Sequence, residues 1–190
     1  MTSRRRRRVE AKAWLLFALL LCLPARAGEA STAPSEYEVK AAYLYHFAKF
    51  VEWPPQAGQA APDIFVITIL GEDPFGGVLD DTLDGKVVDG RRVVVHRTHR
   101  ADEVRDSRIL FISDSEQPHL PAILKRLEGA ATLTVGEMDR FAERGGVIRF
   151  RTERSRVRLE INLAVAERAR LKISSELLKL ARIVGEEASD

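Results

Sequence analysis

The chain has 190 residues, a length that suits one domain with a real core, and its single cysteine, Cys22, excludes an internal disulfide, so stability must come from packing. It carries 30 basic against 28 acidic residues, but seven of the basic ones (Arg4 to Arg8, Lys12, Arg26) precede residue 28. Setting those aside together with Glu10 leaves 23 basic and 27 acidic residues, a net charge of −4 that argues against nucleic-acid binding.

The N-terminus has three parts. A basic run (Arg4 to Arg8, Lys12) precedes the apolar stretch Ala13 to Leu23, and Ala25-Arg26-Ala27 offers a small-x-small cleavage site. The stretch of 11 residues is too short to span a bilayer core. The pattern predicts a signal peptide over residues 1–27, cleaved after Ala27, and an exported mature chain; a retained N-terminal anchor is the alternative. Leu21 is too large for a lipidation site at Cys22, and Val9-Glu10-Ala11 lacks the apolar pair of twin-arginine export.

Residues 28–35 (GEASTAPS) read as a linker, 36–185 as one α/β domain and 186–190 as an acidic tail. Glu36 to Trp53 predicts a helix stopped by Pro54-Pro55. Gln56 to Asp63 reads as a loop. Ile64 to Leu70 is continuously apolar, as a strand buried on both faces would be. Asp73 can cap a helix from Pro74 to about Leu83. Val87-Val88 and Val93 to His96 flank Asp89-Gly90, a hairpin signal. Ile109 to Ser113 predicts a strand, Glu116 to Leu127 a helix, Thr132 to Val135 a strand and Glu137 to Ala142 a short helix. Ile148 to Arg151 and Arg156 to Leu163 alternate with period two, which predicts an antiparallel hairpin with one wet face. Ser174 caps a closing helix with Leu177, Leu180, Ala181 and Val184 as its stripe. The sum is an α/β fold: a three-layer sandwich around a mixed, mostly parallel sheet of about six strands.

On the first helix, Val39, Tyr43, Phe47, Phe50 and Val51 share a wide apolar face at 100° per residue. Tyr45 lies among the charges of the opposite side (Glu38, Lys49, Glu52), with His46 and Trp53 at its edge. Exposed aromatics among charges have the composition of a protein contact, unless the loop after Pro55 folds back over them. Lys40 projects from the apolar side and should snorkel. Arg149, Arg151, Arg156 and Arg158 share one hairpin face; they dock an acidic partner, or form a solvated face balanced by Glu143, Glu153 and Glu160. Gly71, Glu72, Asp73 and Phe75 sit where a strand feeds a helix, the place of ligand crevices in α/β sheets. Their spacing is not that of a phosphate loop, and a plain strand-to-helix turn is the better reading, with a small-molecule crevice beside it as the alternative. His96-x-x-His99 lacks further metal ligands, and no nucleophile-and-base motif occurs after residue 27, so neither metal, cofactor nor catalysis is expected.

These segments together resemble the YfiR family. The resemblance rests on EVKAAYLYHFAKFVEWP (38–54), ILGEDPFGG (69–77), LDGKVVDGR (83–91), ILFIS (109–113), LTV (133–135), GGVIRF (145–150) and the run from Glu160 to Val184. It implies a periplasmic homodimer that represses an inner-membrane diguanylate cyclase through the cyclase's periplasmic sensor region. It also implies release by an outer-membrane lipoprotein that sequesters the repressor. The disulfides of founding members do not carry over, because no cysteine follows Cys22. Similar domains also serve as sensory modules of other membrane signalling proteins, which leaves a small-molecule-binding sensor as the alternative.

Overall fold

The computed structural model describes residues 33–55, 63–104 and 106–185. The leader, most of the linker, most of the loop after Pro55 and the acidic tail therefore lie outside the described residues. The elements in chain order are α1 (Glu36–Phe50), β1 (Val51–Glu52), β2 (Ile64–Leu70), α2 (Gly77–Leu83), β3 (Val87–Val88), β4 (Arg91–Thr98) and β5 (Ile109–Ile112). After a 3-10 turn (Asp114–His119) come α3 (Leu120–Arg126), β6 (Leu133–Gly136), β7 (Ile148–Glu153), β8 (Arg156–Asn162), α4 (Leu163–Arg168), β9 (Lys172–Ile173), α5 (Ser175–Leu178) and β10 (Ala181–Val184).

Eight strands form the main sheet in the order β10-β8-β7-β6-β5-β2-β4-β3, while β1 and β9 pair separately. Only the two hairpins, β3–β4 and β7–β8, are antiparallel within the main sheet. Apolar side chains of the central strands alternate between two cores. Phe65, Ile67, Ile69, Ile109 and Phe111 pack with α1, α2, α4 and α5. Leu70, Leu110 and Ile112 pack with α3, Met138 and Phe141 on the other face. The continuous apolar runs of β2 and β5 are thus the mark of strands covered on both sides. Both hairpins close on two-residue turns with positive φ, Asp89-Gly90 and Arg154-Ser155, whose twist matches the strands they join.

Several boundaries differ from the sequence reading. The first helix ends at Phe50, and Val51–Glu52 leave it to pair with Lys172–Ile173. The second begins at Gly77, because Gly76 takes φ 54°, and Asp73 instead accepts the Phe75 N–H at 2.8 Å. The segment expected as a helix from Glu116 splits into a 3-10 turn and α3, with Pro118 inside the former. Glu137 to Ala142 forms turns rather than a helix, with Arg140 left-handed at φ 55°. The closing helix stops at Leu178, and Ala181–Val184 is β10, laid parallel against β8. The open edge of β8 decides that segment: Leu180, expected on an apolar stripe, is 63% exposed.

Candidate functional site

The first helix is turned relative to its expected wheel. Its buried residues are Lys40, Ala41, Leu44, Phe47 and Ala48. Ala41 and Ala48, with Leu44 between them, bring the helix close to the sheet. Val39, Tyr43 and Phe50, expected in the core, are only half-buried. With Ala42 and His46 they form one wall of a groove of about 410 Å³, whose other wall is Leu177 and Leu180 at α5.

This rotation separates the four residues singled out on the charged side. Tyr45 is half-buried against the main core, with the ammonium groups of Lys49 and Lys86 at 5.5 and 5.6 Å from its ring centroid. Cations over a tyrosine face are attracted by its quadrupole. Lys49 and Lys86 are themselves exposed. His46 faces the groove and stacks on Phe50 at 5.9 Å. Trp53 follows the end of the helix; its ring meets Phe65 edge-on at 5.2 Å, and its Nε1–H donates to the Arg108 carbonyl at 3.3 Å. Tyr45 and Lys49 therefore stay together with Lys86, whereas Trp53 braces α1 against the sheet.

Lys40 does not snorkel. It is 1% exposed, and its ammonium is ion-paired with both Glu36 and Glu137 above the Tyr37 ring. The Tyr37 hydroxyl donates to Glu137 at 3.3 Å, and the Thr152 hydroxyl donates to Glu36 at 2.8 Å. Burial pushes the Lys40 ammonium down, but hydrogen bonds to Glu137 and Glu36 outweigh it and hold the group above the ordinary lysine value. The hydrogen bond from Lys40, helped by Thr152, holds the Glu36 carboxyl below its ordinary value. Burial, followed by the Glu137 charge, raises the Tyr37 hydroxyl.

On the hairpin, Glu160 is the centre. It is buried, and Arg149 from β7, Arg151 from β7 and Arg182 from β10 reach it at 3.1, 3.6 and 3.7 Å. Arg149 also pairs with Asp139 at 2.8 Å and Arg151 with Glu153 at 3.0 Å. Glu143, expected to balance this face, pairs with Arg140 instead. Arg156 and Arg158 are exposed and form no ion pair among the described residues. Arg182 was not singled out in the sequence because its segment read as helix; it joins the same face through its register with Glu160.

The turn after β2 is tightly filled. Gly71 has φ 91°, and a Cβ there would collide with the Ser115 hydroxyl. Ser115 accepts the Glu72 N–H at 3.0 Å, Asp73 pairs with Arg97 at 2.7 Å, and Phe75 is buried edge-on against Phe111 at 4.9 Å. Tyr37 also packs on Phe75, at 5.4 Å. These contacts tie the turn after β2 to the turn after β5 and to β4.

The surfaces that stand out on this α/β sandwich are a lysine-flanked tyrosine, an apolar groove and an arginine-lined hairpin. The sequence matches the family described as YfiR/HmsC-like (DUF4154) over residues 37–182, and the chain belongs to that family. No curated protein matches it. Among solved structures, a conserved domain protein from Vibrio cholerae O1 biovar El Tor is similar at a TM-score of 0.53 and 11% identity, covering 81% of this chain and 62% of its own. The ABC domain in complex with L-Trp from Streptococcus pneumonia gives a TM-score of 0.47 and 11% identity, over 63% of this chain and 55% of its own. The chain thus spans a little over half the length of these solved structures.

Proposed function

We propose that this protein is an exported, periplasmic regulatory binding protein that represses an inner-membrane diguanylate cyclase through the cyclase's periplasmic sensor region. Membership of the YfiR/HmsC-like family over residues 37–182 carries this reading. On it, the protein lowers cyclic-di-GMP and biofilm formation, acts as a homodimer, and is released when an outer-membrane lipoprotein sequesters it. It works by binding rather than by catalysis: it favours one conformation of its partner, and the difference in affinity between conformations sets the size of the effect.

The partner surface is assigned to Tyr45 and Lys49, now with Lys86, and to the hairpin arginines Arg156 and Arg158 with Arg182 beside them. Exposed lysines and arginines suit an acidic partner segment. His46 contributes from the adjoining groove, Arg149 and Arg151 act through Glu160, and Trp53 acts by holding α1 in place. A sensor role with a ligand at Gly71 to Phe75 is the weaker reading, because Ser115 and Phe75 occupy that corner.

The test is cellular cyclic-di-GMP in the native strain, in a deletion strain, and in that strain with the protein restored. A rise on deletion that reverses on restoration is expected. An unchanged level, under conditions where the protein is made, would refute the repressor reading.

A further inference from the structure

The sheet has a gap on its β6 side. β7 joins β6 late, with Ile148 beside Val135 and Arg149 beside Gly136. The earlier residues of β6 therefore have no β7 neighbour. One ladder bond is replaced by a side chain: the Thr134 hydroxyl accepts the Val147 N–H at 2.9 Å. Beside this gap lies a groove of about 650 Å³ between α3 and α4. That volume falls within the range of small-molecule sites, roughly 300 to 1,000 Å³.

Its walls are of two kinds. Leu124, Leu127, Val147 and Val165 make it apolar. Lys125, Arg144 and Arg168 bring three cations to it, against the single carboxylate of Glu128. None of the three forms an ion pair among the described residues, nor do Glu128 and Glu167, while Glu143, next to Arg144, is engaged by Arg140. Arg170 closes one end by donating to the Gly129 carbonyl at 3.0 Å, tying the chain after α4 to the loop after α3.

The geometry points to a binding site for small organic anions, a carboxylate carried on an apolar body, in the groove between α3 and α4. Guanidinium groups of Arg144 and Arg168 match a carboxylate in charge and in fork geometry. The leucine and valine walls take the apolar part, whose removal from water drives binding. This site shares no lining residue with the Gly71 turn or with the groove along α1, and it does not depend on the cyclase reading.

Octanoate and 1-naphthoate are the probes, with 1-octanol as the uncharged control, titrated calorimetrically into the purified protein at low ionic strength. Saturable binding of at least one carboxylate below about 1 mM is expected, with 1-octanol about tenfold weaker or worse. The Arg144→Glu/Arg168→Glu double variant should lose about tenfold or more in affinity while melting as the parent does; both side chains are exposed. Should the double variant melt early, the single Arg168→Gln variant is read in its place, with the same direction expected. Leu180→Asp, on the α1–α5 groove, should bind as the parent does. The proposal is overturned if neither carboxylate binds, if 1-octanol binds as well as octanoate, if the arginine variants keep full affinity, or if Leu180→Asp alone abolishes binding.

Discussion

The ammonium of Lys40 on the first helix is ion-paired with the carboxylate of Glu137, 97 residues away in the turn after β6. Glu36 and Tyr37 complete the cluster, so the start of α1 is tied to the turn after β6 by one buried cation. Removing a single partner from such a pair leaves charge without compensation, which is more costly than the pair is worth.

Lys40→Met should therefore cost about 2–3 kcal/mol, less than for fully buried pairs because Glu36 keeps access to water. The double variant Lys40→Met/Glu137→Leu should regain about half of that. Urea midpoints of the two single variants and the double give the coupling. A strictly additive double would show that the pair carries no energy of its own.

The same cluster sets a pH dependence. Glu36 is held low by Lys40 and Thr152, so it contributes stability above its unfolded pKa and loses that contribution as pH falls through its depressed folded value. Lys40 is held high, so its contribution is complete below the unfolded lysine pKa and disappears as pH rises through its raised folded value. The stability difference between parent and Lys40→Met should thus be largest between the carboxylate and lysine ranges and shrink toward both extremes. A difference that stays constant down into acid would remove Glu36 from the account.

Tyr45→Ala would disturb both surface and core, since the ring packs on the core's fringe; it should cost about 1–2 kcal/mol. Lys49→Glu/Lys86→Glu isolates the surface instead. It should change stability by about 0.5 kcal/mol or less and raise cellular cyclic-di-GMP toward the deletion level. Full repression by this variant would take the lysine-flanked tyrosine out of the partner contact.

Arg156→Glu/Arg158→Glu tests the hairpin in the same way, again with little effect on melting. Glu160→Leu should behave differently. It leaves Arg149 and Arg151 facing each other without their shared acid, and a loss of about 2–4 kcal/mol is expected in denaturant titration. A neutral Glu160→Leu would mean that Asp139 and Glu153 suffice.

Gly146 lies against the ring of Phe141, with no room for a Cβ. Its backbone is not left-handed, so the cost of Gly146→Ala is steric alone. About 2 kcal/mol is expected, with partial relief from Phe141→Leu. Thermal melts of the two variants and their combination distinguish this from a backbone effect, which Phe141→Leu could not relieve.

Elements with their own periodicity were legible from the residues. β2 and β5 announced burial on both faces, β7 and β8 alternated with period two, and Asp89-Gly90 marked its turn. What escaped is defined by partners distant in sequence. β9 has two residues and β10 four, too few to show a period, and each exists because an edge receives it. The rotation of α1 depends on Glu137 as the partner of Lys40, which no helical wheel contains. Of the expected sites, the hairpin arginines were readable because alternation dictates their side. Trp53 and the Gly71 turn were not, since what fills them comes from Phe65, Arg108 and Ser115.

Eight strands make a wide sheet, and wide sheets invite stray strands at their margins. Here the outermost strands are β3, two residues long, and β10, four residues long. The first is flanked by Lys86 and by Arg91, and the second carries Arg182. Each of these two strands offers only a brief row of backbone groups bordered by positive charge, a poor template for a second molecule to zip onto, although β3 covers no more than Arg91 and Arg92 of β4. Brevity and positive charge at the two outermost strands are the means by which this wide sheet discourages stray pairing.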